Sequence, residues 1–225
     1  MRSFDARLEG ISLSANHQPL ARLSCKPADI PSPGQAIMAC KSGSCEPLRK
    51  LLFPTHLLPD GFVADSPPEA HWRIGDPLNL WGPIGHGFTP ASNADKWLLA
   101  SFDNPPARLW PLIQTGLERG VAISLCTEVL PAKLPPQVEW IPEIIEALIW
   151  ADYLALDLPS ERITSIRSRL GLSSQERLPI PAQVLVTQPM PCGLGVCYAC
   201  ALKGYQNQLL SCKDGPVFDL DQLEF

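Results

Sequence analysis

Four cysteines near the end of the chain constrain its folding more than any other feature. Cys192, Cys197 and Cys200 follow the spacing C-x4-C-x2-C, and Cys212 comes after eleven intervening residues. This is the plant-type spacing of [2Fe–2S] ligands. Each iron takes two thiolates beside two bridging sulfides, so the first three cysteines must wrap one tight loop. The fourth then reaches in from the far side, after a strand expected at Gln208 to Leu210. Gly193 and Gly195 permit the unusual backbone angles of such a loop and leave its N–H groups free to approach sulfur. A structural zinc site would need a second short knuckle near Cys212, and Cys212 stands alone.

The rest of the chain has to supply a scaffold for that loop. Its 225 residues allow one large domain or two small ones. A hydrophobic content of 45% with 18% charged residues suits a packed core rather than a disordered chain. Lys plus Arg number 18 against 23 Asp plus Glu, and this net charge of −5 argues against a nucleic-acid binder. The 25 prolines point to turns and irregular connections rather than a helical bundle. No apolar run reaches the roughly 18 residues of a membrane span, because Glu146, Asp152 and Asp157 interrupt the richest one. The first ten residues carry charges and no apolar core of a signal peptide. A cytoplasmic location is therefore expected, and eight cysteines there suggest metal or redox chemistry more than a disulfide framework.

The hydrophobic pattern changes along the chain. Short alternating runs at Ile11 to Ser14, Leu20 to Cys25, Gln35 to Cys40 and Leu78 to Trp81 read as strands of a small barrel or sandwich. Gly82 to Gly87 reads as an inter-domain turn. Beyond it, strands at Trp97 to Phe102, Val121 to Cys126 and Tyr153 to Leu158 alternate with helices. The helices span Pro106 to Arg119, Pro142 to Trp150, and from an N-cap at Ser160 to about Leu170. A last β run covers Gln183 to Thr187. Such alternation implies parallel β-α-β units. The expected fold class is α+β in three parts: a small antiparallel β-barrel over 1–90, a parallel-sheet α/β domain over 91–182, and a [2Fe–2S] cluster domain over 183–225.

The run Met190-Pro-Cys-Gly-Leu-Gly-Val-Cys-Tyr-Ala-Cys200, closing with Cys212-Lys-Asp-Gly-Pro-Val-Phe218, resembles the cluster domain of dihydroorotate dehydrogenase B electron-transfer subunits. These belong to the ferredoxin–NADP reductase-like group. Upstream, Pro33-Gly34-Gln35, Gly75-Asp76 and Gly82-Pro-Ile-Gly-His-Gly-Phe88 resemble that family's P-G-Q, G-D and G-P-L-G-x-G-F. The resemblance implies an FAD-binding barrel, a nucleotide-binding α/β domain and a C-terminal cluster domain. It also implies a redox partner subunit of the dihydroorotate dehydrogenase kind, in pyrimidine biosynthesis.

Four departures from that family oppose parts of this inheritance. The family holds flavin with R-x-[YF]-[ST], whereas the equivalent stretch here is Leu48-Arg-Lys-Leu-Leu-Phe-Pro-Thr55. Only 26 residues separate Thr55 from Gly82, so a further strand and a flavin-contacting loop are expected to be missing. The family's glycine-rich phosphate turn is replaced by Ala100-Ser-Phe-Asp-Asn-Pro-Pro106, where Asp103 sets a negative charge and Pro105 and Pro106 remove donors. A C-G-P turn is replaced by Leu156-Asp-Leu-Pro159. These changes weigh against NAD and, less heavily, against FAD.

Other candidate residues read as ordinary. Cys25, Cys40 and Cys45 lack a C-x2-C continuation and read as free thiols, and Cys126 reads as core. His17, His56, His71 and His86 show no metal-binding spacing. Most of the six tryptophans lie in apolar runs and read as core. The function expected is an electron-transfer iron–sulfur subunit with no evident substrate site of its own. The alternative is a complete FAD- and [2Fe–2S]-dependent NADH-oxidising reductase. The face around Gly193, Leu194, Val196 and Tyr198 is the expected docking surface for a redox partner.

Overall fold

The computed structural model describes residues 2–14, 18–44, 48–65, 71–128, 130–173 and 176–224. Cys45 and His17 lie outside the described residues. The first half is a seven-stranded antiparallel sheet. It comprises β1 (Arg2–Leu13), β2 (Pro19–Ser24), β3 (Ala36–Lys41), β4 (Lys50–Leu52), β5 (Pro54–Leu58), β6 (Gly61–Ala64) and β7 (Pro77–Ile84), in the order β4-β3-β7-β1-β2-β6-β5. The two end strands, β4 and β5, are separated in the chain by Phe53 alone, so the sheet curls toward closure without pairing its ends. Alternation directs Leu8, Leu23, Ile37, Leu52, Phe62, Leu78 and Leu80 into one core, with Trp72 among them.

The second half holds a six-stranded sheet in the order β10-β9-β8-β11-β12-β15. Its strands are β8 (Lys96–Ser101), β9 (Ala122–Thr127), β10 (Val138–Ile141), β11 (Tyr153–Pro159), β12 (Ala182–Thr187) and β15 (Val217–Asp219). All pairings are parallel except β12 with β15. Three helices connect the parallel strands: α1 (Trp110–Glu118), α2 (Ile144–Leu148) and α3 (Ile163–Arg169). Leu112 and Ile113 of α1 pack on one face of the sheet with Trp97, Leu99 and Leu125. Ile144, Leu148, Ile163 and Ile166 of α2 and α3 pack on the other with Leu98, Leu154 and Leu156. Both faces are therefore covered, as a parallel sheet requires. The chain runs outward from β8 to β10, then returns to start β11 on the other side of β8. The strand order reverses there, between β8 and β11.

The final hairpin, β13 (Ala201–Lys203) with β14 (Gln208–Leu210), stands apart as a two-stranded sheet. One core nevertheless runs through every part of the chain. It joins Met38, Phe53, Ile84 and Phe88 to Leu99 and Leu185, and on to Met190, Cys200, Leu210, Cys212 and Val217.

Several expectations need correction. Gly82 to Gly87 is not a free turn. Its first three residues end β7, and the His86 N–H donates to the Gly215 carbonyl. Gly85 makes that contact possible, since a Cβ there would sit 1.7 Å from the Gly215 oxygen. Ser160 caps nothing: it begins a 3-10 turn whose flanking residue is Pro159, with no side-chain cap. The strand expected to be missing between Thr55 and Gly82 is present as β6.

Candidate metal centre

The segment from Cys192 to Cys200 has no regular secondary structure, because its backbone is bent inward around the sulfurs. Gly193, Gly195 and Tyr198 all have positive φ, at 63°, 74° and 57°. That handedness turns successive N–H groups to one side, a device that builds anion nests. The Leu194 N–H donates to Cys192 Sγ at 3.4 Å. Those of Val196 and Cys197 also point at this sulfur, and that of Gly195 points at Cys212. Donation from Leu194 first, then from Cys197 and Val196, holds the Cys192 thiol down at about 6. Burial, with the neighbouring Cys200 thiol, pushes Cys212 up to about 12.

The four sulfurs form two pairs. Cys200 Sγ lies 3.4 Å from Cys212 Sγ, and both residues are buried in the shared core. Cys192 is within hydrogen-bonding reach of Cys197, half-buried and exposed respectively. Cys192 lies near enough to Cys212 for its charge to help push that thiol up. Among the described residues, no three His, Cys, Asp or Glu side chains converge on a single-ion site. Two neighbouring thiol pairs suit a binuclear cluster instead, which takes its thiolates two to each iron. The donor set therefore fits the group that the spacing implies.

Second-layer contacts hold the inner pair in place. Gln188 Nε2 donates to the Cys200 carbonyl at 2.8 Å and also reaches Ser211 Oγ. The Ser211 N–H donates to the same carbonyl, and Asp214 Oδ2 accepts from the Leu210 N–H. Gln188 has no signature in the sequence and was not anticipated. Gly193 leans on the antiparallel sheet, where a Cβ would meet Met38 Sδ at 2.6 Å.

Residues 187–224 match the family model described as the iron–sulfur cluster binding domain of dihydroorotate dehydrogenase B. The cluster segment is thus similar to that domain. The chain is also similar to a probable dihydroorotate dehydrogenase B (NAD(+)) electron transfer subunit of Pyrococcus furiosus, with 27% identity over 169 residues. That match covers 67% of this chain and 64% of that protein. A namesake from Methanopyrus kandleri is 50% identical over 46 residues, covering 20% of this chain and 16% of that protein. The chain spans less than two thirds of the length of these two relatives. Among solved structures, the NADH-dependent reduced ferredoxin–NADP oxidoreductase superposes with a TM-score of 0.72 at 15% identity, covering 97% of this chain and 89% of that one. The ferredoxin reductase of carbazole 1,9a-dioxygenase gives 0.58 at 14% identity, covering 80% and 67%. These establish a ferredoxin-reductase-like fold.

Such a fold implies nucleotide cofactors, and the residues at the relevant positions fit them poorly. Arg49, the nearest candidate for the flavin arginine, donates to the Asn79 carbonyl and side chain and stacks on Trp81. Asp103 occupies the phosphate turn with φ 59° and pairs with Arg162 at 3.1 Å. Asp157 does not form a turn. It lies fully buried in β11, beside Ser101 of β8.

The remaining candidates are accounted for. Cys40 Sγ donates to the Asn79 carbonyl, while burial pushes Cys25 and Cys126 up to about 11. His56 stacks on Trp110; Trp72 and Trp97 are buried, whereas Trp81, Trp110, Trp140 and Trp150 are half-buried, so most tryptophans are not core as expected. No helix among the described residues is long and apolar enough to cross a membrane.

Proposed function

We propose that the chain is an iron–sulfur electron-transfer subunit, relaying electrons between a donor and a partner oxidoreductase. The observation that carries this reading is the pair of neighbouring thiol couples inside a loop whose N–H groups point at sulfur. In this reading Cys192, Cys197, Cys200 and Cys212 would hold the cluster, the first two at its outer edge and the last two in the core. Gly193 and Gly195 shape the loop. A bound [2Fe–2S] cluster accepts and returns one electron at a time. The N–H donors of Leu194, Val196 and Gly195 stabilise negative charge on the sulfurs, which favours the reduced form.

Burial is uneven, and that sets a direction. Cys200 and Cys212 are sealed in the core, whereas Leu194, Val196 and Tyr198 over the outer pair are 47%, 69% and 60% exposed. A redox partner docks on this apolar face. The relatives' names support a dihydroorotate dehydrogenase as that partner. The chain acts in three parts, 1–90, 91–182 and 183–225, in a cytoplasmic setting consistent with unbridged cysteines throughout the described residues. The alternative of a complete flavin reductase is opposed by Arg49, which is committed to Asn79 and Trp81.

Iron, acid-labile sulfide and flavin analysis of the native protein, with its visible spectrum, tests this. About two irons and two sulfides per chain without stoichiometric flavin are expected. A chain that isolates alone and has its cluster reduced directly by NADH would overturn the obligate partner.

A further inference from the structure

In open α/β sheets, ligands enter the crevice beyond the carboxyl ends of the strands, where the strand order reverses. Here that place lies beyond Ser101 of β8 and Asp157 of β11. It is filled by the protein's own charged groups. Asn104 Nδ2 donates to Asp157 Oδ1 at 2.9 Å and to Thr187 Oγ1 at 3.1 Å. Ser101 Oγ donates to the Asn104 carbonyl at 2.8 Å and fixes that turn. Arg108 leaves the adjacent 3-10 turn, Pro106–Leu109, and crosses to the antiparallel sheet. There its Nε lies 2.7 Å from Asp65 Oδ2, just past β6, and its guanidinium sits 5.4 Å from the Phe53 ring centroid. Its Nη1 lies 3.8 Å from Asp157 Oδ2.

We propose that Arg108, Asp65, Asp157 and Asn104 form a built-in plug that takes the place of a dinucleotide and joins the two sheets. The three charged side chains come from β11, from the turn after β8 and from the residue just past β6, and are largely withdrawn from water. Arg108 and Asp65 expose 19% and 13% of their side chains, and Asp157 exposes none. The set is also under-satisfied. Asp65 Oδ1, Arg108 Nη1 and Asp157 Oδ2 make no hydrogen bond among the described residues. The 2.7 Å Arg108–Asp65 approach is a charge contact rather than an aligned hydrogen bond. Two acids face one base, so removing the base strands two buried carboxyls. The Arg108 guanidinium is held between Asp65 and Asp157 rather than left facing an incoming phosphate.

The inference goes beyond the electron-transfer reading and does not depend on the cluster ligands. Its test uses the full chain with its cluster, in three forms: native, Arg108→Met, and Arg108→Met combined with Asp65→Asn and Asp157→Asn. Amide exchange is followed at 61–65 and 153–158. Arg108→Met should speed exchange there at least about tenfold, and the triple variant should recover most of the protection. The visible cluster spectrum should persist in all three. If Arg108→Met does not fold, the triple variant still decides, because it should fold. Unchanged exchange in Arg108→Met, or no recovery in the triple variant, overturns the plug. So does saturable binding of NADH by the native protein at the crevice, read by exchange protection of the same amides. Loss of the visible spectrum in the native protein would instead sink the cluster reading and leave the plug standing.

Discussion

The cluster loop and the crevice of the parallel sheet are both places where this fold could meet a non-protein group, and they have opposite local chemistry. In the loop the N–H groups of Leu194, Gly195, Val196 and Cys197 turn toward thiols. In the crevice, regular strands end in side chains that turn to one another, Asn104 to Asp157 by a hydrogen bond and Arg108 to Asp65 by charge. Irregular backbone has kept its donors for something else, and regular backbone has been closed by its own side chains. Capacity to bind therefore follows where backbone N–H groups are left over, not where the fold class would place them.

The largest effect should come from the inner thiols. Replacing Cys200 or Cys212 by Ser should abolish the visible cluster spectrum and also lower the thermal midpoint, because both residues belong to the core shared by all parts of the chain. Cys197→Ser, at the exposed edge, should abolish or strongly alter the spectrum with less effect on apoprotein stability. An unchanged Cys197→Ser spectrum would remove it from the ligand set and break the contrast between outer and inner pairs.

Next in size is Gly85→Ala. A Cβ there collides with backbone rather than a flexible side chain, so the junction between β7 and the Gly215 segment must open. Urea unfolding should show a loss of a few kcal/mol. By contrast, Gly193→Ala meets the end of Met38 and strains one left-handed residue, at about 1–2 kcal/mol.

The crevice predicts a pH dependence of similar size. Burial pushes Asp157 up to about 6 from 3.8, offset in part by Arg108 and Asn104. The native state thus holds this proton at pH values where the unfolded chain has released it. Stability from this group is full below about pH 4, falls as pH rises, and is lost above about pH 6, an effect on the order of 3 kcal/mol. Burial raises Asp65 as well, in the same direction. Chemical denaturation of native protein and Asp157→Asn between pH 4.5 and 7 checks this. The variant should show a flatter profile, and equal slopes would mean that Asp157 is not buried in solution.

The smallest effect on stability should come from Val196→Asp on the exposed face, within about 0.5 kcal/mol. That change should leave the spectrum intact and slow electron transfer to the native partner in stopped-flow traces. An unaltered rate would place the docking surface elsewhere.

The two regions also differ in how far the sequence disclosed them. The loop is local: spacing, two glycines and chemistry lie within a short stretch, so Cys192 to Cys212 could be read directly. The plug is not local. Asp65, Arg108 and Asp157 are distant in the chain and meet only because β8 and β11 are neighbours and β6 ends opposite them. Asp157 was noticed as a departure, yet its place inside a strand depends on pairing that periodicity does not specify. Strands that are nearly continuous apolar runs, such as Trp97 to Phe102, were legible. Short ones such as β6, β10 and β15 were not, since three or four residues carry too little pattern. Ser160 looked like a cap by residue type alone, but the preceding Pro159 and the tighter 3-10 turn leave its side chain no donor to receive.

The antiparallel strand β15 also affects how the molecule behaves if it is cut. Val217 and Phe218 cover the flank of β12, and Gln183 ties down Asp219 with a 3.0 Å hydrogen bond. The outermost strand thus ends in an acid, a feature that discourages further strands from adding. A fragment stopped near Thr187 would uncover the apolar flank of Val184 to Val186, with its ladder half empty. Such a fragment should associate with itself, whereas the full chain carries its own edge guard in the segment that also bears the cysteines.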